Sequence, residues 1–291
     1  MLRSMYSGIS GMKNFQIKLD VIGNNIANVN TYGFKKGRTI FKDLVSQQIA
    51  GASAPVANTR GGVNPKQVGL GAQLAAIDTV HTQGSLQTTG RTLDLAISGD
   101  GFFVLGNGVT AGTINSPVYT RAGNFYLDQN GDIVNADGLY LIGEPYNPPA
   151  TATGNAGKIN IPTTAKSFSI GSDGTVNYVD SSGNLVTAGK IYLAKFKNND
   201  GLEKAGQNLF RETANSGSID TNGTTGVQLG ELTAPGTSGT GTIVAGALEM
   251  SNVDLSEEFT EMIVAQRGFQ ANTRIITTSD EILQELVNLK K

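Results

Sequence analysis

The stretch DVIGNNIANVNTYGFKKG (Asp20–Gly37) sets four asparagines, Asn24, Asn25, Asn28 and Asn30, among Ile22, Ile26 and Val29 at helical spacing. Asparagine is a poor helix former because its side chain competes for nearby backbone groups. Upstream the stripe is regular: Leu2, Met5, Ile9, Met12, Phe15, Leu19, Ile22, Ile26 and Val29 follow one another by three or four residues. That is one face of a helix, about 28 residues and roughly 42 Å long. Gly8, Gly11 and Gly23 each weaken it by roughly 1 kcal/mol relative to alanine. Asn28 and Asn30 precede Thr31-Tyr32-Gly33, where amides satisfy orphan carbonyls and Gly33 offers a left-handed exit. A frayed terminus is the competing reading.

The far end has the same habit. Leu255, Phe259, Met262, Gln266, Phe269, Thr273 and Ile276 step by three or four, and Ile282, Leu283, Leu286 and Leu289 continue after a shift of phase. Asp254 is a candidate N-cap with Glu257 as its capping-box partner. Glu258 and Glu261 suit the positive end of the dipole, Lys290 and Lys291 the negative end. Residues 1–36 hold five bases against Asp20 alone, whereas residues 251–291 hold seven acids against four bases. Opposite charge favours one helix beside the other. Gly268, Asn272, Thr277, Thr278 and Ser279 permit close approach of further helices. A two-helix pair covers only one face of each helix, so ordering it depends on neighbours covering the rest. A homopolymer with a helical core is the expectation.

The middle reads as β. NFYLDQNGDIVNADGLYLIG (Asn124–Gly143) carries Asn130-Gly131 and Asp137-Gly138 turns between short apolar runs, which predicts a meander. Leu93–Leu105 alternates and turns at Gly99-Asp100-Gly101. Asp173-Gly174 and Ser182-Gly183 separate strands over Ser167–Phe196. Ala50–Gly71 and Thr233–Thr242 are linker-like. The expected fold is therefore α+β: a discontinuous, coiled-coil-like two-helix terminal domain plus an inserted all-β barrel or sandwich-like domain and an extended connecting segment. The expected boundaries are 1–32 for the N-terminal helix, 33–88 for the connector, 89–235 for the β domain, 236–251 for a return connector and 252–291 for the C-terminal helix.

Composition excludes several functions. A net charge of −2 with pI near 5.5 lacks the basic face of a nucleic-acid binder. With no cysteine, disulfides and thiolate metal sites are out. His81 is the single histidine and no nucleophile motif surrounds it. Asp128–Gly138 begins like a calcium loop, but Ile133 stands where glycine is needed and Leu139 where glutamate is needed. Gly99–Gly108 is glycine-rich without the strand–loop–helix context of a phosphate site. The Lys35-Lys36-Gly37-Arg38 cluster reads as a solvated loop or a surface for an acidic partner. No enzyme activity, cofactor, metal or membrane insertion is expected. Met1–Met12 lacks a signal-peptide core, so the chain is expected to be cytoplasmic or to leave the cell without a cleaved signal.

Leu19–Gly37, Gln83–Leu105 (QGSLQTTGRTLDLAISGDGFFVL), Tyr119–Val134 (YTRAGNFYLDQNGDIV) and Val264–Leu289 (VAQRGFQANTRIITTSDEILQELVNL) closely resemble the bacterial flagellar hook and rod family, and MLRSMYSGISGMKNFQ at the start fits too. The resemblance implies a tubular homopolymer, an inner helical domain built from both termini and an outer β domain. It implies export through the flagellar type III apparatus and an extracellular place on the flagellum. Distal rod, hook cap and hook–filament junction proteins are the implied partners. Ala50–Val80 looks like the connector of short Gram-positive hooks, so the reading favours the hook, a curved, flexible joint. The distal rod is the alternative, and a secreted carbohydrate-binding adhesin the third. The adhesin reading expects aromatic platforms, yet there is no tryptophan. In such a tube the stripe residues pack subunits together, and Asn24 and Asn25 face neighbours or the channel.

Overall fold

The computed structural model describes residues 2–55, 60–110, 112–147, 151–219 and 226–289. Lys290 and Lys291 lie outside these residues, and so does the side chain of Leu2. The chain divides into two compact units.

The first unit comprises both terminal helices and residues 37–80. Helix α1 spans Leu2–Ala27 and helix α2 spans Leu255–Asn288. The stripe had predicted α1 as far as Val29. Instead a turn begins at Asn28, where Thr31 donates its N–H to the Asn28 carbonyl at 3.1 Å and its hydroxyl to Asn28 Oδ1 at 3.1 Å. The asparagine side chain has won the local competition with the helix. Asp254 caps α2, its carboxylate accepting from the Ser256 and Glu257 backbone N–H groups at 2.8 and 3.4 Å. The change of stripe phase does not interrupt α2. Thr273, Thr278 and Ser279 turn their hydroxyls onto carbonyls four residues upstream, which keeps these polar groups satisfied inside the helix.

Between the helices in sequence, strands β1 (Gly37–Asp43), β2 (Gln47–Ala50), β3 (Lys66–Val68) and β4 (Ala72–Thr79) form two antiparallel ribbons. β1 pairs with β4 from Gly37↔Thr79 to Asp43↔Ala72, with a bulge between Ile40 and Phe41, and β2 pairs with β3. Part of the segment expected as an extended connector is thus paired.

The second unit holds residues 28–36 and 81–253. Its strands include β5 (Leu86–Thr88), β6 (Leu95–Ser98) and β7 (Phe102–Gly106). β7 lies inside a 13-stranded antiparallel sheet, between Tyr140–Asn147 and Val118–Thr120. Phe103 and Leu105 enter one apolar cluster with Leu95, Phe125 and Ile191; Phe102 and Val104 enter another with Tyr119, Phe196 and Phe210. Successive side chains of a strand point to opposite faces, so FFVL reads as an unbroken apolar run because both faces are covered. The meander predicted over Asn124–Gly143 is present: Tyr126–Leu127 pairs with Ile133–Val134, which meets Tyr140, and Gly131 and Gly138 turn at φ +86° and +81°. The sheet is not a closed barrel. Its path runs openly from Ser167–Ile170 to Glu203–Gly206. Nor is 236–251 a free connector: Thr242–Ala245 pairs with β6 and Ala247–Glu249 with β5.

Candidate assembly surface and buried junction

The seam between α1 and α2 is built on small residues. A Cβ at Gly268 would stand 2.5 Å from the Phe15 ring, and one at Gly11 2.9 Å from the Asn272 amide. Those glycines let large side chains of the opposite helix approach its backbone. Gly8 faces Ile276, and the Thr273 hydroxyl reaches Met12 Sδ at 3.8 Å. Lys18 pairs with Glu261 at 3.1 Å, the expected meeting of opposite charges, worth only about 0–1 kcal/mol at this exposure.

The stripe residues divide by exposure. Ile22 is buried; Met5, Ile9, Met12, Phe15, Leu19 and Ile26 are half-buried, as are Met262, Phe269, Ile276 and Leu283. Val29 is half-buried outside the helix, in the second unit. Leu255, Phe259 and Leu286 are exposed, together with Ile263, Val264, Ile282, Val287 and Leu289. The helical pair therefore leaves apolar side chains of α2 in solvent on both flanks of its buried seam, which other chains could cover.

Of the asparagines, Asn24 and Asn30 are exposed and Asn28 is half-buried in the turn after α1. Asn25 overturns the expectation of a neighbour- or channel-facing amide, because it is 1% exposed. Its amide mimics a strand partner: Nδ2 donates to the Gly37 carbonyl at 2.9 Å and Oδ1 accepts the Gly37 N–H at 2.9 Å. Nδ2 also donates to Glu258 Oε2 at 3.1 Å. One side chain thus joins α1, the start of β1 and the first turn of α2.

Within the second unit, Gly33 stands at φ +69° and donates its N–H to the Glu249 carbonyl at 2.8 Å. A Cβ there would come within 2.5 Å of the Ala122 nitrogen, so both conformation and space require glycine. Two residues on, Lys35 corrects the reading of a solvated basic loop. Its side chain is fully buried, with Nζ 2.6 Å from Glu249 Oε1 and 2.8 Å from the Thr82 carbonyl. Arg121 meets the other carboxylate oxygen at 3.2 Å, and the Gly84 N–H donates to Oε1 at 3.0 Å. Burial pushes the Lys35 amine below its usual pKa, and the Glu249 carboxylate opposes that shift. His81 lies beside this junction with its ring 5.6 Å from Phe102 and 5.4 Å from Phe210. Burial, with Lys35, Arg121 and Lys204 nearby, pushes its imidazole down to about 4.

Glu249 and Arg121 carried no sequence signal, since Glu249 stands 214 residues from Lys35 along the chain. The calcium-like loop is held by Asp128 within it and by Lys158 and Asn160 beyond it. Asp128 accepts the Asn130 and Asp132 N–H groups at 2.8 Å, and Asp132 meets Lys158 at 2.6 Å and Asn160 at 2.8 Å. Among the described residues no helix is long and apolar enough to cross a membrane.

Three family profiles match along the chain: "Flagella basal body rod protein" over residues 5–35, "Flagellar hook protein FlgE/F/G D1 domain" over 96–178 and "Flagellar basal body rod FlgEFG protein C-terminal" over 244–289. The chain is 57% identical to the flagellar basal-body rod protein FlgG of Bacillus subtilis over the full length of both. It is 37% identical to that of Caulobacter vibrioides, over 99% of this chain and 100% of the relative. The flagellar hook protein FlgE of Borreliella burgdorferi is 34% identical, again with both chains fully covered, across 459 aligned positions. Relatives matching from end to end, together with profiles on both helices and the sheet, show that the chain belongs to the flagellar hook and rod family of axial structural proteins, which are not enzymes.

Proposed function

We propose that the chain polymerises with itself as a subunit of the distal flagellar rod, with the helical pair as the inner wall of a hollow tube. The observation that carries the rod reading is the 57% identity with a basal-body rod protein of matching extent. It weighs toward the rod over the hook reading that the connector sequence favours. The alignment with the Borreliella hook runs over 459 positions, so that hook carries inserted sequence absent from these 291 residues. The exposed apolar side chains of α2 support self-assembly, since neighbouring helices would cover Phe259 and Ile263 on one flank and Leu286 on the other. Export through the flagellar apparatus to a place on the cell's exterior, with the hook as the next segment, accords with this role. Hook cap and hook–filament junction proteins come into play in the hook reading.

The hook remains the second reading, favoured by full coverage of a hook relative at 34% identity. Electron microscopy of polymers grown from purified subunits decides between them. Straight tubes are expected; curved tubes that change supercoil with conditions would instead make this a hook.

A further inference from the structure

The junction around Glu249 is unbalanced. Lys35, Arg121 and Lys204 converge on it with Glu249 lying between the first two, and Lys35 and Glu249 are fully buried. Lys204 donates to the Lys35 carbonyl at 3.1 Å and lies 5.1 Å over the Phe34 ring. Among the described residues, neither nitrogen of His81 nor Arg121 Nε has a hydrogen-bond partner. The imidazole is enclosed by Phe102 from β7 and Phe210 from Leu209–Arg211, neither of which can accept a proton from it. Both carboxylate oxygens of Glu249 are already engaged. A protonated His81 would thus be a further buried cation without an acceptor, which is costly in a low-dielectric site.

We propose that His81 is an acid-operated latch in this unit: taking up a proton, it adds a cation to the Lys35–Arg121–Lys204 cluster, and the segment 28–36 comes away from the strand Ala247–Glu249. That segment is held there by the Gly33 N–H to the Glu249 carbonyl and by the Lys35–Glu249 pair, and beyond the strand by Lys204, Asn208 and Asn252, which bond the Lys35 carbonyl, the Tyr32 carbonyl and the Lys36 N–H, so opening breaks these bonds together with the pair. The neutral imidazole keeps the latch shut at neutral pH.

Because His81 is the single histidine, its proton resonances can be followed directly by NMR in the full-length subunit. Hydrogen exchange, corrected for intrinsic rates, reports on residues 28–36 and 247–249. Protection there is expected to fall at least tenfold between pH 6 and pH 4, in step with His81 titration. His81→Phe fills the same aromatic site and is expected to retain that protection to at least one pH unit lower. Two outcomes overturn the latch: a His81 that titrates near 6.5, or a His81→Phe variant that opens at the same pH as the parent. If the variant does not fold, the parent's titration and exchange decide.

Discussion

Asn25 Nδ2 and Glu258 Oε2 stand 3.1 Å apart and buried, 233 residues distant in sequence. The same amide completes both backbone hydrogen bonds of Gly37. Asn25→Ala is expected to cost about 1–3 kcal/mol, because buried partners lose their bonds. Urea denaturation followed by the helical circular-dichroism signal checks this.

Gly268 and Gly23 should respond oppositely to alanine. Gly268→Ala forces a methyl to 2.5 Å from Phe15 and should lower stability by about 1–3 kcal/mol, with partial rescue by Phe15→Leu. Gly23 has nothing within 4 Å of an added Cβ, so Gly23→Ala should stabilise α1 by about 0.5–1 kcal/mol. Thermal melts of the three variants give the signs.

Breaking the buried pair is expected to be far more damaging than breaking an exposed one. Glu249→Gln leaves Lys35 and Arg121 without a carboxylate and should cost about 3–5 kcal/mol. Arg38→Ala removes an exposed pair with Asp78 at 3.4 Å and should change stability by less than about 1 kcal/mol. Denaturant midpoints of the unit that holds each pair separate the two cases.

Stability should rise with pH from about 4 to the ordinary histidine range. Folded His81 is depressed to about 4 from 6.5, so between those values the unfolded chain binds more protons than the folded one. Its contribution is fully present above 6.5 and is lost as pH falls toward 4. Denaturation free energies from pH 4 to 8, compared with His81→Phe, isolate this slope from the carboxylates.

Phe259 is half exposed on α2, so Phe259→Asp should leave the subunit's own stability within about 0.5 kcal/mol. The same change should abolish tube growth by placing a charge on a flank of α2 that the proposed assembly covers. Sedimentation and electron microscopy read the two effects separately, and tubes of normal length would remove α2 from the assembly surface.

Local and periodic features were legible without coordinates. The spacing from Leu2 to Ile26 and from Leu255 onward implied two long helices, and Asp254 capped where its side chain could reach backbone N–H groups two and three residues ahead. Asn130-Gly131 and Asp137-Gly138 marked turns because glycine takes positive φ at no steric cost. These signals act over a few residues, so pattern alone carries them.

Tertiary structure decided what depends on distant partners. Asn25 looked like an amide for a neighbour or a channel, and became a buried tie because Gly37 and Glu258 fold onto it. Lys35 looked solvated until Glu249 and the Thr82 carbonyl supplied the charge and hydrogen bonding that bury it. His81 looked idle, and only its aromatic walls and neighbouring cations gave it a depressed pKa. Helix, turn and cap were therefore properties of short segments, whereas burial of charge was settled by which remote groups the fold brought within hydrogen-bonding distance of one another.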